Sequence, residues 1–118
     1  MKKTFLFSFF CIASTLAAAQ KETFDLITYD PPKGWKKEVT ENITSYTIID
    51  DKKNSWCQVS IVKSTSSKGS IDADFDSEWQ GLVVKNYKIT EAPKLNEVQE
   101  TGGWKIKAGG GNFVLENL

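Results

Sequence analysis

Apolar and polar residues alternate along most of this chain, and clusters of turn-forming residues interrupt the alternation. A period of two is typical of a strand that buries one of its faces. A polar turn at 51–54 separates two such stretches, which favours a hairpin, and glycine runs separate others. The pattern predicts strands at residues 24–29, 42–50, 55–63, 97–100, 104–108 and 113–115.

One stretch, from about residue 71 to 86, repeats its apolar residues at helical spacing. Its apolar positions are Ile71, Phe75, Trp79, Leu82 and Val83. Ser70 or Asp72 can cap the first turn, and Asn86 can end the helix. We therefore expect an α+β fold, with an antiparallel sheet of about five to six strands packed by one amphipathic helix.

Alternation also predicts which side chains are buried in this sheet. Trp79 and Trp104 fall on expected core faces, the latter together with Ile106 and Ala108. Cys57 is expected to point inward with its strand neighbours, as a buried, inert thiol rather than the site of an interchain disulfide.

Trp56 differs from the other tryptophans because it shares a strand face with Gln58 and Ser60. If that face of the sheet is uncovered, Trp56 is exposed, near Tyr46. Exposed aromatic side chains can stack on sugars or hold peptides. Trp56 and Tyr46 are therefore the candidate ligand-contact residues.

The first nineteen residues have the pattern of a secretory signal peptide. Lys2 and Lys3 precede an apolar stretch at 5–16, and three alanines place the cleavage before Gln20. The apolar stretch is short for a bilayer span, and no second one follows it. We expect an exported protein, periplasmic or extracellular, in which residues 20–118 form a single domain with no membrane span.

Composition removes several function classes. The chain has no histidine and no arginine, so it cannot supply a Ser-His-Asp arrangement, a histidine metal ligand or an arginine fork. After cleavage the net charge is 13 − 15 = −2, with no basic block, which argues against nucleic-acid binding.

Two motifs resemble ligand-binding loops but lack required residues. The acids Asp72, Asp74, Asp76 and Glu78 begin like a calcium loop, yet its sixth and twelfth positions would be Ser77 and Val83. The glycines at 102–103 and 109–111 precede strands rather than a helix, so we interpret them as hairpin turns and not as a phosphate cradle. No catalytic, cofactor or metal residue is assigned.

The order of these elements resembles a known family. A strand, Pro31-Pro32-Lys33-Gly34-Trp35, an apolar hairpin strand at 56–62, a helix with 74–80 and a Gly-Trp strand are similar to uncharacterised exported bacterial domains of the PsbP-like fold. Relatives of that fold carry further C-terminal strands and a last helix. The resemblance therefore implies a PsbP-like domain that is incomplete at its C-terminus.

Together these patterns predict an exported, non-enzymatic binding or scaffolding domain, whose partner is a protein or a cell-envelope component. No cofactor is expected. Two alternatives remain open at this point. One is a hydrolase that uses carboxylates alone, such as a glycosidase, and the other is a truncated fragment without a function of its own.

Overall fold

The computed structural model of the chain describes residues 20–114, so the predicted signal peptide at 1–19 lies outside the described residues. The chain divides into two compact units, the first ending at Ser64 and the second beginning at Thr65. Among the described residues antiparallel strands dominate, with one α-helix in the second unit, which confirms the α+β class. No helix within 20–114 is long and apolar enough to cross a membrane.

The first unit contains a hairpin and a three-stranded sheet. Its strands are β1 (Glu22–Phe24), β2 (Ile27–Tyr29), β3 (Lys36–Val39), β4 (Ile43–Asp50) and β5 (Ser55–Val62). β1 pairs with β2, while the sheet has the order β3-β4-β5, and every pairing is antiparallel.

The predicted strand at 24–29 is wrong, because the chain reverses inside it. Asp25 has φ of 52°, in the left-handed region that aspartate tolerates, and a two-residue turn there makes the β1–β2 hairpin. The sequence pattern also missed β3, which follows Gly34 with φ of 80°.

The β4–β5 hairpin is confirmed nearly to the residue. Its strands pair from Ile43 with Val62 to Asp50 with Ser55. The turn at 51–54 closes on Asp50, whose carboxylate accepts the backbone N–H groups of Lys52 and Lys53 at 3.1 and 3.2 Å. Asn54 takes a φ of 48°, which suits a tight turn.

The helix of the second unit is shorter than predicted. α1 spans Ile71–Trp79, and Ser70 caps it by accepting the N–H of Ala73 at 3.1 Å. The chain then widens into a π-helical segment at Gln80–Val84. Gly81 and two β-branched valines lie in that segment, and such residues weaken a regular α-helix.

Six short strands complete the second unit: β6 (Lys88–Ile89), β7 (Lys94–Leu95), β8 (Gln99–Thr101), β9 (Trp104–Ile106), β10 (Gly109–Gly110) and β11 (Phe113–Val114). They pair as β6–β11, β7–β10 and β8–β9. The described residues thus form one three-stranded sheet and four two-stranded sheets, rather than the expected single sheet of five to six strands. Strands of two or three residues bounded by glycine and proline offer too few ladder bonds to extend further.

The glycine run at 109–111 is a strand followed by one glycine, not the predicted turn. A Cβ added at Gly109 would lie 2.5 Å from Cζ of Phe75, so only glycine lets the helix ring approach this closely. The Phe75 ring also stacks on Trp79, with 6.0 Å between centroids. In the second unit, the Phe75 ring of α1 therefore packs directly against the backbone of Gly109.

Several burial predictions are wrong. Trp104 is 70% exposed and Ile106 46% exposed, and Ala108 is exposed as well. Cys57 is also exposed instead of buried. Alternation identifies which residues share a strand face, but a narrow ladder does not ensure that another element covers that face.

Candidate functional site

The two candidate contact residues lie on opposite faces of the β3-β4-β5 sheet. Trp56 stands opposite Ile49, whereas Tyr46 stands opposite Val59. Residues directly opposite each other share a face, and the face alternates along a strand. Trp56 is 46% exposed, as predicted, but Tyr46 is only 3% exposed. The structure therefore does not bring the two side chains together.

Trp56 belongs instead to a group of exposed apolar residues, which we call the hairpin end. The hairpin end consists of Ile48, Ile49, Trp56, Cys57 and Val59, all exposed. Ile49 and Trp56 lie on one face of the sheet, and the other three lie on the opposite face. Its outer part borders an open groove of about 580 Å³, completed by the turn residues Asp51 and Lys52. Large apolar side chains grouped at one end of a hairpin are typical of contact surfaces.

The strand that carries Trp56 is an edge of the sheet. Within the described part of the chain, β5 pairs only with β4. The N–H of Lys63 donates to the carbonyl of Asn42 at 2.8 Å. This bond shows which residues of β5 direct their backbone groups towards β4 and which direct them away. Every second residue then turns its N–H and C=O outward. Those residues are Trp56, Gln58, Ser60 and Val62.

This edge lacks the usual protection against pairing with another chain. Between Ser55 and Val62 it carries no charged residue and no proline, and its register runs through eight pairs without a bulge. Natural edge strands are normally blunted by charge, proline or a bulge. The β5 edge is therefore open to a further strand.

Tyr46 lies in a different arrangement, a polar cluster on the other face. Oε2 of Glu22 accepts the hydroxyl of Tyr46 at 2.9 Å and that of Tyr29 at 3.4 Å, and it forms an ion pair with Lys37. The two tyrosine hydroxyls are 2.8 Å apart. Nothing in the sequence pattern marks Glu22, because it lies in the polar stretch before the first predicted strand.

The cluster fixes the charge of its members. The hydrogen bond from Lys37, followed by that from Tyr46, lowers the pKa of Glu22, and the same carboxylate raises the pKa of Lys37. Burial, with the bonds to Tyr29 and Glu22, raises the pKa of the Tyr46 phenol well above its ordinary value. At neutral pH the cluster therefore holds the Glu22 carboxylate, the Lys37 ammonium and a neutral Tyr46 phenol.

The acids at the start of α1 are used within the protein. Asp72 forms an ion pair with Lys107, and Asp74 accepts the hydroxyl of Ser67 at 2.7 Å. Glu78 accepts the hydroxyl of Thr65 at 3.0 Å. Among residues 20–114, no three cysteine or acidic side chains are grouped as a metal site would require.

A second concavity, of about 350 Å³, lies along the glycine strand of the second unit. Lys94, Asn96 and the backbone of 109–111 line it, and Asn112 donates to Glu91 at 2.9 Å at its rim. It contains neither a pair of facing carboxylates nor an exposed aromatic ring, so it offers less specific chemistry than the hairpin end.

No protein-family model, curated protein or solved structure matches the chain at a significant level. The function is therefore inferred from the arrangement of the described side chains.

Proposed function

We propose that this chain is an exported, non-enzymatic binding or scaffolding domain of the cell envelope, and that it contacts its partner through the hairpin end with Trp56 at the centre. The observation that carries the proposal is the exposure of Trp56 beside Ile49, which is 67% exposed. Tryptophan is the side chain most enriched among residues that dominate binding energy.

The open edge of β5 supports the same location. Trp56 and Gln58 turn their backbone groups outward, so a partner segment could add a strand while its side chains contact the indole ring. Addition of a strand gives affinity through backbone bonds and specificity through alternate side chains. The hairpin end and the open edge of β5 both belong to the first unit, and they are continuous along one strand.

The alternative of a carboxylate-only hydrolase receives less support. A general acid needs a raised pKa, usually from burial in an apolar site. The described carboxyl groups with a displaced pKa are all shifted downward by hydrogen bonds. They are Glu22, Asp25, Glu38 and Asp74. Their environments favour the carboxylate form at neutral pH, in which these groups accept hydrogen bonds from other parts of the chain.

The PsbP-like fold is part of the proposal, as is export. The antiparallel α+β class and the helix after the hairpin are compatible with that fold. Cross-strand contacts of residues 20–118 measured by NMR would test it, because a PsbP-like domain has one continuous sheet with the helix packed on it.

The chain offers a matched pair of tryptophans for testing the binding proposal. Trp56 lies on the hairpin end, and Trp104 is 70% exposed on β9 in the other unit. The immobilised chain 20–118 is incubated with a detergent-solubilised envelope fraction, and the retained components are identified by mass spectrometry.

We expect the wild type and Trp104→Ala to retain the same component, and Trp56→Ala to lose affinity for it by about thirtyfold, the equivalent of 2 kcal/mol. All three proteins should give the same circular dichroism spectrum. Equal retention by Trp56→Ala, or loss only with Trp104→Ala, would contradict the assignment of the hairpin end.

A further inference from the structure

The β1–β2 hairpin, residues 22–29, lies on the three-stranded sheet without sharing its hydrogen-bonded ladder. Its strands pair only with each other among the described residues. We call this segment the strap. Because no ladder bond joins it to β3, β4 or β5, the strap can leave the sheet without breaking a strand pairing.

Two carboxylates tie the strap to the sheet, one at each end. At its open end, Glu22 pairs with Lys37 of β3 and accepts the hydroxyl of Tyr46 of β4. At its turn, Oδ2 of Asp25 accepts the backbone N–H of Ser64 at 2.8 Å, just beyond β5. The strap is therefore fastened to all three strands or their immediate continuation.

Apolar attachment of the strap is small by comparison. Leu26 is 75% exposed and Ile27 48% exposed, so the apolar residues at its turn contribute little buried area. Phe24 and Tyr29 are partly buried, and the Tyr29 ring meets Tyr46 edge to face at 6.0 Å. The two carboxylate ties, together with the contact of 2.8 Å between the hydroxyls of Tyr29 and Tyr46, are the polar contacts that hold the strap on the sheet.

Burial along β4 follows the reach of the strap. Thr44 and Tyr46 are 2% and 3% exposed, whereas Ile48, the next residue on the same face, is 42% exposed. Cover over this face thus stops between Tyr46 and Ile48. Opening of the strap would uncover Tyr46, which the strap contacts through Glu22 and Tyr29, and would join it to the exposed Ile48 and Val59 in one larger surface.

We propose that the strap is a releasable cover, fastened by Glu22 and Asp25, which opens in acid while the β3-β4-β5 sheet stays folded. The proposal is independent of any partner at the hairpin end. It assigns to the first unit a closed state at neutral pH and an open state that presents Tyr46.

The direction of the pH dependence follows from the charges around each carboxyl group. Lys37, Tyr46 and Tyr29 donate to Glu22 and lower its pKa. The hydrogen bond from Ser64, with a smaller contribution from the nearby Lys63 ammonium, lowers the pKa of Asp25. Each tie is fully present above the ordinary carboxyl pKa of about 4 and is lost as the pH falls through the lower, folded-state value. The strap should therefore open below about pH 4.

Hydrogen exchange followed by mass spectrometry tests this on the chain 20–118. Rates are normalised to the intrinsic exchange rate at each pH, and peptides covering 20–30 and 43–62 are compared. We expect protection of 20–30 to fall by about tenfold or more as the pH drops from about 4 towards the folded-state pKa values, and to level off below them, while 43–62 stays protected. Simultaneous loss of protection in both peptides would overturn the proposal, because it would show that the first unit opens as a whole.

Variants test the same opening at neutral pH. Glu22→Gln with Asp25→Asn should lower protection of 20–30 by at least about tenfold and leave 43–62 unchanged. Glu38→Gln is the matched control, since Glu38 pairs with Lys36 at 2.8 Å on the opposite face of the sheet. Unchanged protection in the double variant, or an equal loss in Glu38→Gln, would refute the strap.

Discussion

Gly109 is the position at which a single methyl group should disturb the second unit most. A Cβ there would lie 2.5 Å from Cζ of Phe75 and 2.7 Å from Cδ2 of Leu95. Leu95 is 50% exposed and can rotate away. The Phe75 ring has less freedom, because it stacks on Trp79 and the Lys107 ammonium lies 5.5 Å from its centroid.

The restrained position of the Phe75 ring determines how much Gly109→Ala should lower the free energy of unfolding. Relief of the contact requires the ring or the β7–β10 ladder to shift, and such overpacking typically costs about 1–3 kcal/mol. For a chain of this size, each kcal/mol lowers the melting temperature by roughly 4–8 °C. We therefore expect a decrease of about 5–20 °C for Gly109→Ala, measured by differential scanning calorimetry of residues 20–118.

Gly110→Ala is the matched control. Gly110 lies on the same short strand, yet nothing is within 4 Å of its added Cβ. Alanine there should be neutral or stabilising by up to about 1 kcal/mol, because it reduces the freedom of the unfolded chain. A double variant with Phe75→Leu should recover part of the loss at Gly109. Equal melting of the two alanine variants would refute the close packing of helix and strand.

Three further predictions use the exposed and partly buried side chains. Cys57 should react with a thiol reagent without denaturant, at a rate near that of a free thiol, because it is exposed. Reaction only on unfolding would show instead that Cys57 points inward, as the sequence pattern predicted. Trp79→Ala should cost about 2–4 kcal/mol in thermal unfolding, since Trp79 is partly buried, while Trp104→Ala should stay within about 0.5 kcal/mol; similar losses would contradict their different burial. Finally, mass spectrometry of the exported protein should show a chain that begins at Gln20, and a chain that retains Met1 would exclude the predicted signal peptide.

Local chemistry made the β4–β5 hairpin predictable. Its two strands are rich in β-branched residues, and Asp50 and Asn54 supply the carboxylate cap and the positive φ that the turn requires. Neither property depends on the rest of the molecule. The N-terminal cap of α1 at Ser70 was predictable for the same reason.

Elements that depend on distant partners could not be predicted in this way. The reversal at Asp25 interrupts an apparently continuous strand, and it is held by the N–H of Ser64, thirty-nine residues later in the chain. Gly109 and Gly110 look like a turn because glycine disfavours strands. They lie in a strand instead, and at Gly109 a side chain would occupy the space that the Phe75 ring takes.

The candidate site was predictable only in part, for a related reason. Alternation placed Trp56 correctly on an uncovered face, but it could not show that Tyr46 is buried against the strap. That burial involves Glu22, whose partners lie on β2, β3 and β4. A carboxylate in a polar segment has no sequence signal that reveals three donors converging on it.

The distribution of polar and apolar residues along β4 bears on what the hairpin end is for. A threonine, Thr44, is 2% exposed, while Ile48 and Ile49 are 42% and 67% exposed. Burial of apolar area stabilises a fold by about 25 cal/mol per Å², so folding alone would favour the reverse order. Exposed apolar groups beside a buried polar one are the informative exception to the usual pattern. Ile48 is exposed on the face that carries Tyr46, and Ile49 and Trp56 are exposed on the opposite face. The free energy available from burying these side chains therefore remains for a partner, as the proposed binding role requires.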